Sequence, residues 1–328
     1  MPAVGVTTGS RPSLTRFAWL SIGAALTTMS MKAAAAALTG SVGLLSDALE
    51  SVVNLVAALV ALFALRAVAK APDDQFAHGR EKAEYLSAGV EGTLIMLAAV
   101  AIGVTAVLRL LNPQPLQKLG IGLIVSTAAA LVNLAVALVL LRAGRTHRSI
   151  TLEADGKHLM TDVWTSAGVL VGIGLVAVTG WDALDPITAL CVAVNIVVTG
   201  FLLINRSVRG LLDASLPPDQ VATIEAVLDR YRSPEVEFHA LRTRQAGRRS
   251  FMSLHVLVPG ARSVMAAHDV VEQVEADLHG VVEDLTIVAH VEPLEDPRSF
   301  ADDGLDRRRL PPSASGHTAR GSDHQEPR

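Results

Sequence analysis

Apolar residues dominate the first two thirds of the chain in six blocks, at about 17–38, 42–65, 86–108, 119–141, 152–179 and 186–204. An α-helix rises about 1.5 Å per residue, so roughly 20 residues cross the hydrocarbon of a bilayer, and each block predicts one spanning helix. Only a short turn at Gly40 and Ser41 separates the first two blocks, but their sum is too long for a single crossing. The first block starts at Phe17 with no cleavage signature behind it, and reads as a retained helix rather than a signal peptide. After Ile204 the pattern turns polar. Residues 221–231 and 264–278 have helical periodicity, whereas 236–242, 251–258 and 285–291 read as strands. Two helices and three strands make one sheet covered by helices, a small α/β, ferredoxin-like domain.

The expected fold is therefore an α-helical membrane protein with six transmembrane helices, followed by a cytoplasmic α/β domain. Its segments are an N-terminal stretch 1–16, the six-helix membrane domain 17–208, the soluble domain 209–293 and a disordered tail 294–328, which is charged and rich in Gly, Pro and Ser. Arg11, Arg16, Arg66, Lys70, Arg80, Lys82, Arg142, Arg145 and Arg148 fall on one side of the membrane and only Arg109 and Lys118 on the other, nine against two. That bias places both termini in the cytoplasm.

Composition agrees. Half of the residues are hydrophobic and only 18% are charged, against about a quarter in a typical soluble protein. Aromatic residues are scarce, and Ala, Val, Leu and Gly fill the blocks, which suits closely packed membrane helices. The single cysteine, Cys191, excludes an intrachain disulfide or a thiolate cluster. A net charge of −4 without a long basic tract gives no footprint for nucleic acid, and no Walker pattern points to ATP.

Polar groups inside the blocks carry the chemistry. The second block holds Asp47, Glu50 and Asn54; the fifth holds Asp155, His158 and Asp162. Both sets are spaced i, i+3, i+7, so each is a stripe on one helical face. A charge near the bilayer midplane costs at least about 2.5 kcal/mol, so two such stripes should face each other or a wet cavity. Glu50, Asn54, His158 and Asp162 would then offer three oxygens and a nitrogen to a divalent cation, Zn²⁺ or alternatively Fe²⁺ or Mn²⁺. The two helices run antiparallel, so Asp47 and Asp155 lie towards opposite ends and read as gate or ligand-orienting groups. Lys32, Glu91 and Asn133 each stand alone and read as packing or hydration.

The stretches SVGLLSDALESVVNL (41–55), EKAEYLSA (81–88), ADGKHLMTDVWTS (154–166) and LDPITAL (184–190) resemble those of the cation diffusion facilitator family, proton-coupled exporters of divalent metals. In the soluble part HALRTR (239–244), SLHVLVPG (253–260) and IVAHVEP (287–293) also match. The resemblance covers about residues 12–293. It implies a homodimer with six spanning helices and a cytoplasmic domain resembling a metallochaperone. It also implies a transport site with two ligands from the second helix and two from the fifth, at Glu50, Asn54, His158 and Asp162. Asn54 departs from the carboxylate many zinc-moving members carry there. The resemblance further places His239, His255, His268 and His290, with Glu292, at cytoplasmic metal-binding positions, where a bound cation would tighten the dimer. The loop between the second and third helices matches in part, and Asp73 and His78 are its candidates.

The expected function is proton-coupled efflux of a divalent metal from the cytoplasm across a bacterial inner or plasma membrane. The metal, Zn²⁺ first, is substrate and regulator; no enzyme activity or organic cofactor is implied. An exporter of Fe²⁺, Mn²⁺, Co²⁺ or Cd²⁺ by the same mechanism, and a membrane metal sensor without flux, are the alternatives. A neutral His158 binds metal, and a proton competing for its nitrogen on the far side favours release.

Overall fold

A computed structural model of the chain describes residues 14–39, 42–112, 120–181 and 183–301. They form two compact units, one up to Ala214 together with Gln245–Arg249, the other Ser215–Arg244 and the chain from Ser250.

The first unit consists of six long helices: α1 (Thr15–Thr39), α2 (Val42–Val68), α3 (Ala83–Leu111), α4 (Gly120–Thr146), α5 (Ile150–Thr179) and α6 (Leu184–Leu211). Each covers one of the apolar blocks, and most run past its ends. Four contain windows long and apolar enough to cross a membrane, Ser51–Val68, Ala83–Leu111, Ile124–Thr146 and Pro186–Leu211. The bundle reverses the burial pattern of a water-soluble core. Small residues are fully enclosed, among them Ala57, Ala58, Ala61, Ala88 and Ala137, while Phe63 (64% exposed), Ile124 (71%) and Phe201 (62%) point outward. A continuous apolar exterior of this kind would be untenable in water and is the surface lipid covers.

Small residues also set the crossings. α3 packs most extensively on α6, and α4 on α5. A Cβ on Gly92 would lie 2.8 Å from Ile204 Cγ1, and one on Gly156 would lie 2.9 Å from Leu141 Cγ, so both crossings need glycine. The start of α5 is fixed from α3: buried Glu84 accepts from Ser149 Oγ (2.5 Å) and Thr151 N (3.4 Å), while Ser149 caps Leu152 N. α1, α2, α4 and α5 share an apolar layer of Ala18, Ile22, Ala58, Leu62, Leu65, Val136, Ala137, Leu140 and Leu159.

The second unit holds α7 (Pro218–Asp229), β1 (Glu237–Ala246), β2 (Arg249–Val258), α8 (Val264–Val281) and β3 (Leu285–Pro293), with sheet order β1-β2-β3. β1 turns into β2 through Gly247, at φ 56°, and Arg248. A two-residue connection makes that pair antiparallel, whereas β2 and β3, joined through α8, run parallel. Val221, Ile224 and Leu228 of α7 and Val271, Val274 and Leu278 of α8 pack on Phe238, Met252, Leu254 and Val256. The helices thus cover one face of the sheet and leave the other open. A short 3-10 helix, Pro297–Phe300, is tied back by Ser299 Oγ to Pro293 O (2.8 Å). The described chain thus carries structure beyond the expected start of the tail at 294; residues 302–328 lie outside the described set.

Candidate functional site

Three helices of the bundle converge on one polar cluster. Asn54 of α2 and His158 of α5 are buried, and Asp162 of α5 is half-buried. The Asn54 amide joins the other two: Nδ2 donates to Asp162 Oδ2 in a short contact, and Oδ1 accepts from His158 Nε2 at 2.8 Å. A carboxylate only accepts, which fixes the amide orientation, and an amide oxygen only accepts, which puts the imidazole proton on Nε2. His158 Nδ1 is buried without a hydrogen-bond partner, the pattern of a neutral ring. The third helix is α4, whose Asn133 Nδ2 donates to the same Asp162 Oδ2 at 3.0 Å.

The shared apolar layer explains why these groups meet. Asn54 precedes Ala58 by one turn of α2, Asn133 precedes Val136 and Ala137 by one turn of α4, and His158 adjoins Leu159. Packing of these apolar stripes with that of α1 carries the polar residues into a single stratum beside them. Sequence reasoning left Asn133 outside this group because α4 has no ionisable residue at helical spacing from it. Its position in register with the buried stripe was the available signal.

Asp155 takes a different partner. Its Oδ1 accepts from Ser21 Oγ of α1 at 2.9 Å, one turn of α5 away from His158. Glu91, read as solitary, is fully buried on α3 and accepts from Ser87 Oγ at 3.2 Å. Asp47 and Glu50 belong to the helical backbone of α2, but their side chains lie outside the described residues.

A second cluster occupies the open face of the cytoplasmic sheet. His255 and His290 are paired in register on β2 and β3, and Glu292 follows two residues later on the same face as His290. β1 brings His239 there by alternation from Val236 and Phe238, which face the core, and its parity changes only afterwards. Phe238 and Leu241 both pack towards the core, which strict alternation forbids, and Ala240 between them takes a φ of 50°. Glu292 Oε2 lies 3.0 Å from His239 Nε2 and 3.2 Å from His255 Nδ1, while His290 Nε2 is 3.5 Å from Oε1. One ligand atom each from His239, His255 and Glu292 falls within 4.8 Å of the others. Tetrahedral Zn²⁺ with bonds of about 2.1 Å spaces its ligands about 3.4 Å apart, so two imidazoles and a carboxylate at these separations fit a zinc ion with small side-chain adjustments. His268 is not brought to this cluster. It lies exposed on α8, 3.6 Å from Glu272, on the helical layer rather than the open face.

The loop after α2 is organised by a different interaction. Asp73 accepts from Phe76 N (2.9 Å) and pairs with Arg80 (2.5 Å), whose guanidinium stacks on the Phe76 ring. The Arg80 hydrogen bond, followed by the backbone bond from Phe76, holds the Asp73 carboxyl below its usual range. A cation would have to displace Arg80 to reach it, and the structure does not bring His78 and Asp73 together as a ligand pair.

Comparison with known proteins completes the description. The family model for the cation efflux transmembrane domain matches residues 18–212, and that for the cation efflux protein cytoplasmic domain matches 216–294. An uncharacterized transporter of Synechocystis sp., sll1263, is 49% identical over 284 residues, 87% of this chain and 92% of its own length. The cation-efflux pump FieF of Shewanella oneidensis is 30% identical over 276 residues, 84% of this chain and 92% of its own. Among solved structures, the metal-bound C-terminal domain of the CzcD transporter from Thermotoga maritima is 31% identical over 24% of this chain and 92% of that one, with a TM-score of 0.22.

Proposed function

The chain belongs to the cation diffusion facilitator family of cation-efflux transporters, a multi-pass membrane protein and not an enzyme, and from that premise we propose that it exports Zn²⁺ from the cytoplasm in exchange for protons through a site between α2 and α5. The site comprises Glu50, Asn54, His158 and Asp162. The observation that carries this reading is the contact of Asn54 with both His158 and Asp162 inside the bundle. Burying an imidazole and a carboxylate this way is costly unless a cation or a proton repays it. All six long helices cross the membrane; the polar residues of α5 that lower its mean hydropathy are the site itself.

The excess of Lys and Arg in the loops after α2 and α4 supports an orientation with the apolar layer on the cytoplasmic side of the cluster. Opening that layer admits the cation from the cytoplasm. Binding requires Asn54 to turn its oxygen from His158 to the ion and requires an imidazole nitrogen free of its proton. On the far side a proton retakes the imidazole, repels the cation and travels back. The cytoplasmic domain pairs with a second copy, and Zn²⁺ on His239, His255 and Glu292, with His290 beside them, tightens that homodimer when cytosolic metal rises.

A second reading keeps the mechanism and changes the cargo. Amide oxygen replaces carboxylate at Asn54, and a site richer in neutral oxygen suits Fe²⁺ or Mn²⁺. Proteoliposomes loaded with a metal-sensitive dye test both. Wild type is expected to show flux driven by a proton gradient, strongest with one metal of the series Zn²⁺, Fe²⁺, Mn²⁺, Co²⁺ and Cd²⁺, and His158→Ala to show none. Fully pH-coupled flux in His158→Ala would overturn the assignment of the site.

A further inference from the structure

We propose that Asn133 of α4 is an additional oxygen donor of the membrane cation site and helps to set which metal it accepts; this rests on the reading that the cation crosses at Asn54, His158 and Asp162. Asn133 is 3% exposed, and its Nδ2 donates to Asp162 Oδ2 at 3.0 Å. Its Oδ1 hangs from the same carbon, is buried and has no hydrogen-bond partner. The carboxylate fixes the amide orientation, because exchanging the two ends would set oxygen against oxygen.

A purely structural clasp between α4 and α5 accounts for the amide nitrogen but not for the oxygen. A buried carbonyl oxygen without a donor is disfavoured, and such groups are few in native structures. Beside a carboxylate and an imidazole, that lone pair is a ready ligand. Asp162 Oδ2 already accepts a hydrogen bond from the Asn54 amide, so the Asn133 bond adds a second neutral dipole to one charged oxygen. When a cation draws Asp162 and Asn54 towards itself, Asn133 can turn its oxygen inward and keep the ion coordinated.

Position supports the role. Asn133 shares a face with Val136, Ala137 and Leu140, which belong to the apolar layer where α4 packs on α1 and α5. Gly156 lets the α4 and α5 backbones approach closely. The amide is therefore presented from a rigid element. Counting Glu50, the donors become four oxygens and one nitrogen from three helices, two of the oxygens neutral. Such a set allows a coordination number above the tetrahedral four and narrows the preference for Zn²⁺ over Mn²⁺ and Fe²⁺.

The test measures concentration-dependent flux of Zn²⁺, Mn²⁺ and Fe²⁺ in proteoliposomes for wild type and for Asn133→Ala, Asn133→Leu and Asn133→Asp, with dispersity in detergent as the check on folding. Loss of the oxygen in the Ala and Leu variants is expected to raise KM about tenfold, most for Mn²⁺ and Fe²⁺, with kcat changed far less. The Asp variant, which keeps an oxygen and adds charge, is expected to lower KM and shift the order towards Zn²⁺. Unchanged KM and metal order in well-folded variants would overturn the proposal, as would an equal fall in kcat for every metal at constant KM, the mark of a clasp. If the Ala and Leu proteins do not fold, the Asp variant decides alone, and an unchanged metal order refutes the role. Failure of the underlying reading looks different: His158→Ala would then retain wild-type flux.

Discussion

Replacing Asn54 by aspartate isolates the electrostatics of the membrane site. The side chain is 5% exposed and its amide nitrogen touches Asp162 Oδ2 directly, so the variant sets a second carboxylate beside the first with almost no change in shape. Two unit charges about 4 Å apart at an effective dielectric constant near 20 repel by about 4 kcal/mol. A divalent cation between them removes that repulsion, and at about 1.4 kcal/mol per tenfold the ceiling on the gain in affinity is about 10³-fold. The pair sheds part of its repulsion by sharing a proton when no metal is bound, which brings the expected gain down to about 10- to 100-fold. Tighter holding also slows release, so kcat should fall while KM falls. Titration calorimetry on the purified protein reads the affinity, and initial flux against metal concentration reads KM and kcat. Unchanged affinity for every metal, in a variant that remains monodisperse, would refute the view that Asn54 and Asp162 hold the ion together.

Two further outcomes follow from the geometry. Glu292→Ala removes the carboxylate that three imidazoles surround and should lower the zinc bound per chain, whereas His268→Ala, which pairs with Glu272 on α8, should leave it unchanged; elemental analysis of the full-length protein after dialysis distinguishes them. Glu84→Ala deprives Ser149 Oγ and Thr151 N of a buried acceptor, a loss of about 2–4 kcal/mol if each bond contributes about 1–2. It should lower the thermal unfolding temperature in detergent by several degrees, and an unchanged temperature would show that the α3–α5 connection is dispensable.

The fold was largely legible because the membrane imposes a blunt rule. A helix must be long and apolar to cross lipid, so six blocks of suitable length announce six helices, and their ends are the uncertain part. α6 continues to Leu211, beyond the last apolar residue of its block, because Arg206 pairs with Glu153 of α5 and the helix need not stop where lipid does. Asn54, His158 and Asp162, which hydrogen-bond as one group, had been marked by helical spacing. Asn133 was not, because one polar residue carries no periodicity of its own and its partner is 29 positions away. The histidines of the soluble domain show the same boundary. His255, His290, Glu292 and, beside core-facing Phe238, His239 follow from strand alternation and register, whereas the parity change at Ala240, which also turns Leu241 to the core, is a backbone event that strand patterns do not reveal.

Both clusters share one physical device. At each, the groups suited to bind a cation hydrogen-bond one another: two amides to Asp162 and the imidazole of His158 to Asn54 in the bundle, the imidazole of His239 to Glu292 on the sheet. A buried carboxylate without such donors would carry an uncompensated charge whenever metal left, and the site would collapse or fill with water. Internal donors supply that compensation, so losing the ion costs rearrangement of a few bonds instead of exposure of a bare charge. The same donors compete with the ion and cap its affinity, and a carrier must release what it binds. Neutral amides are therefore well placed at the transport cluster. They stabilise Asp162 between passages and yield their oxygens during one, without the extra carboxylate that would hold the cation too long.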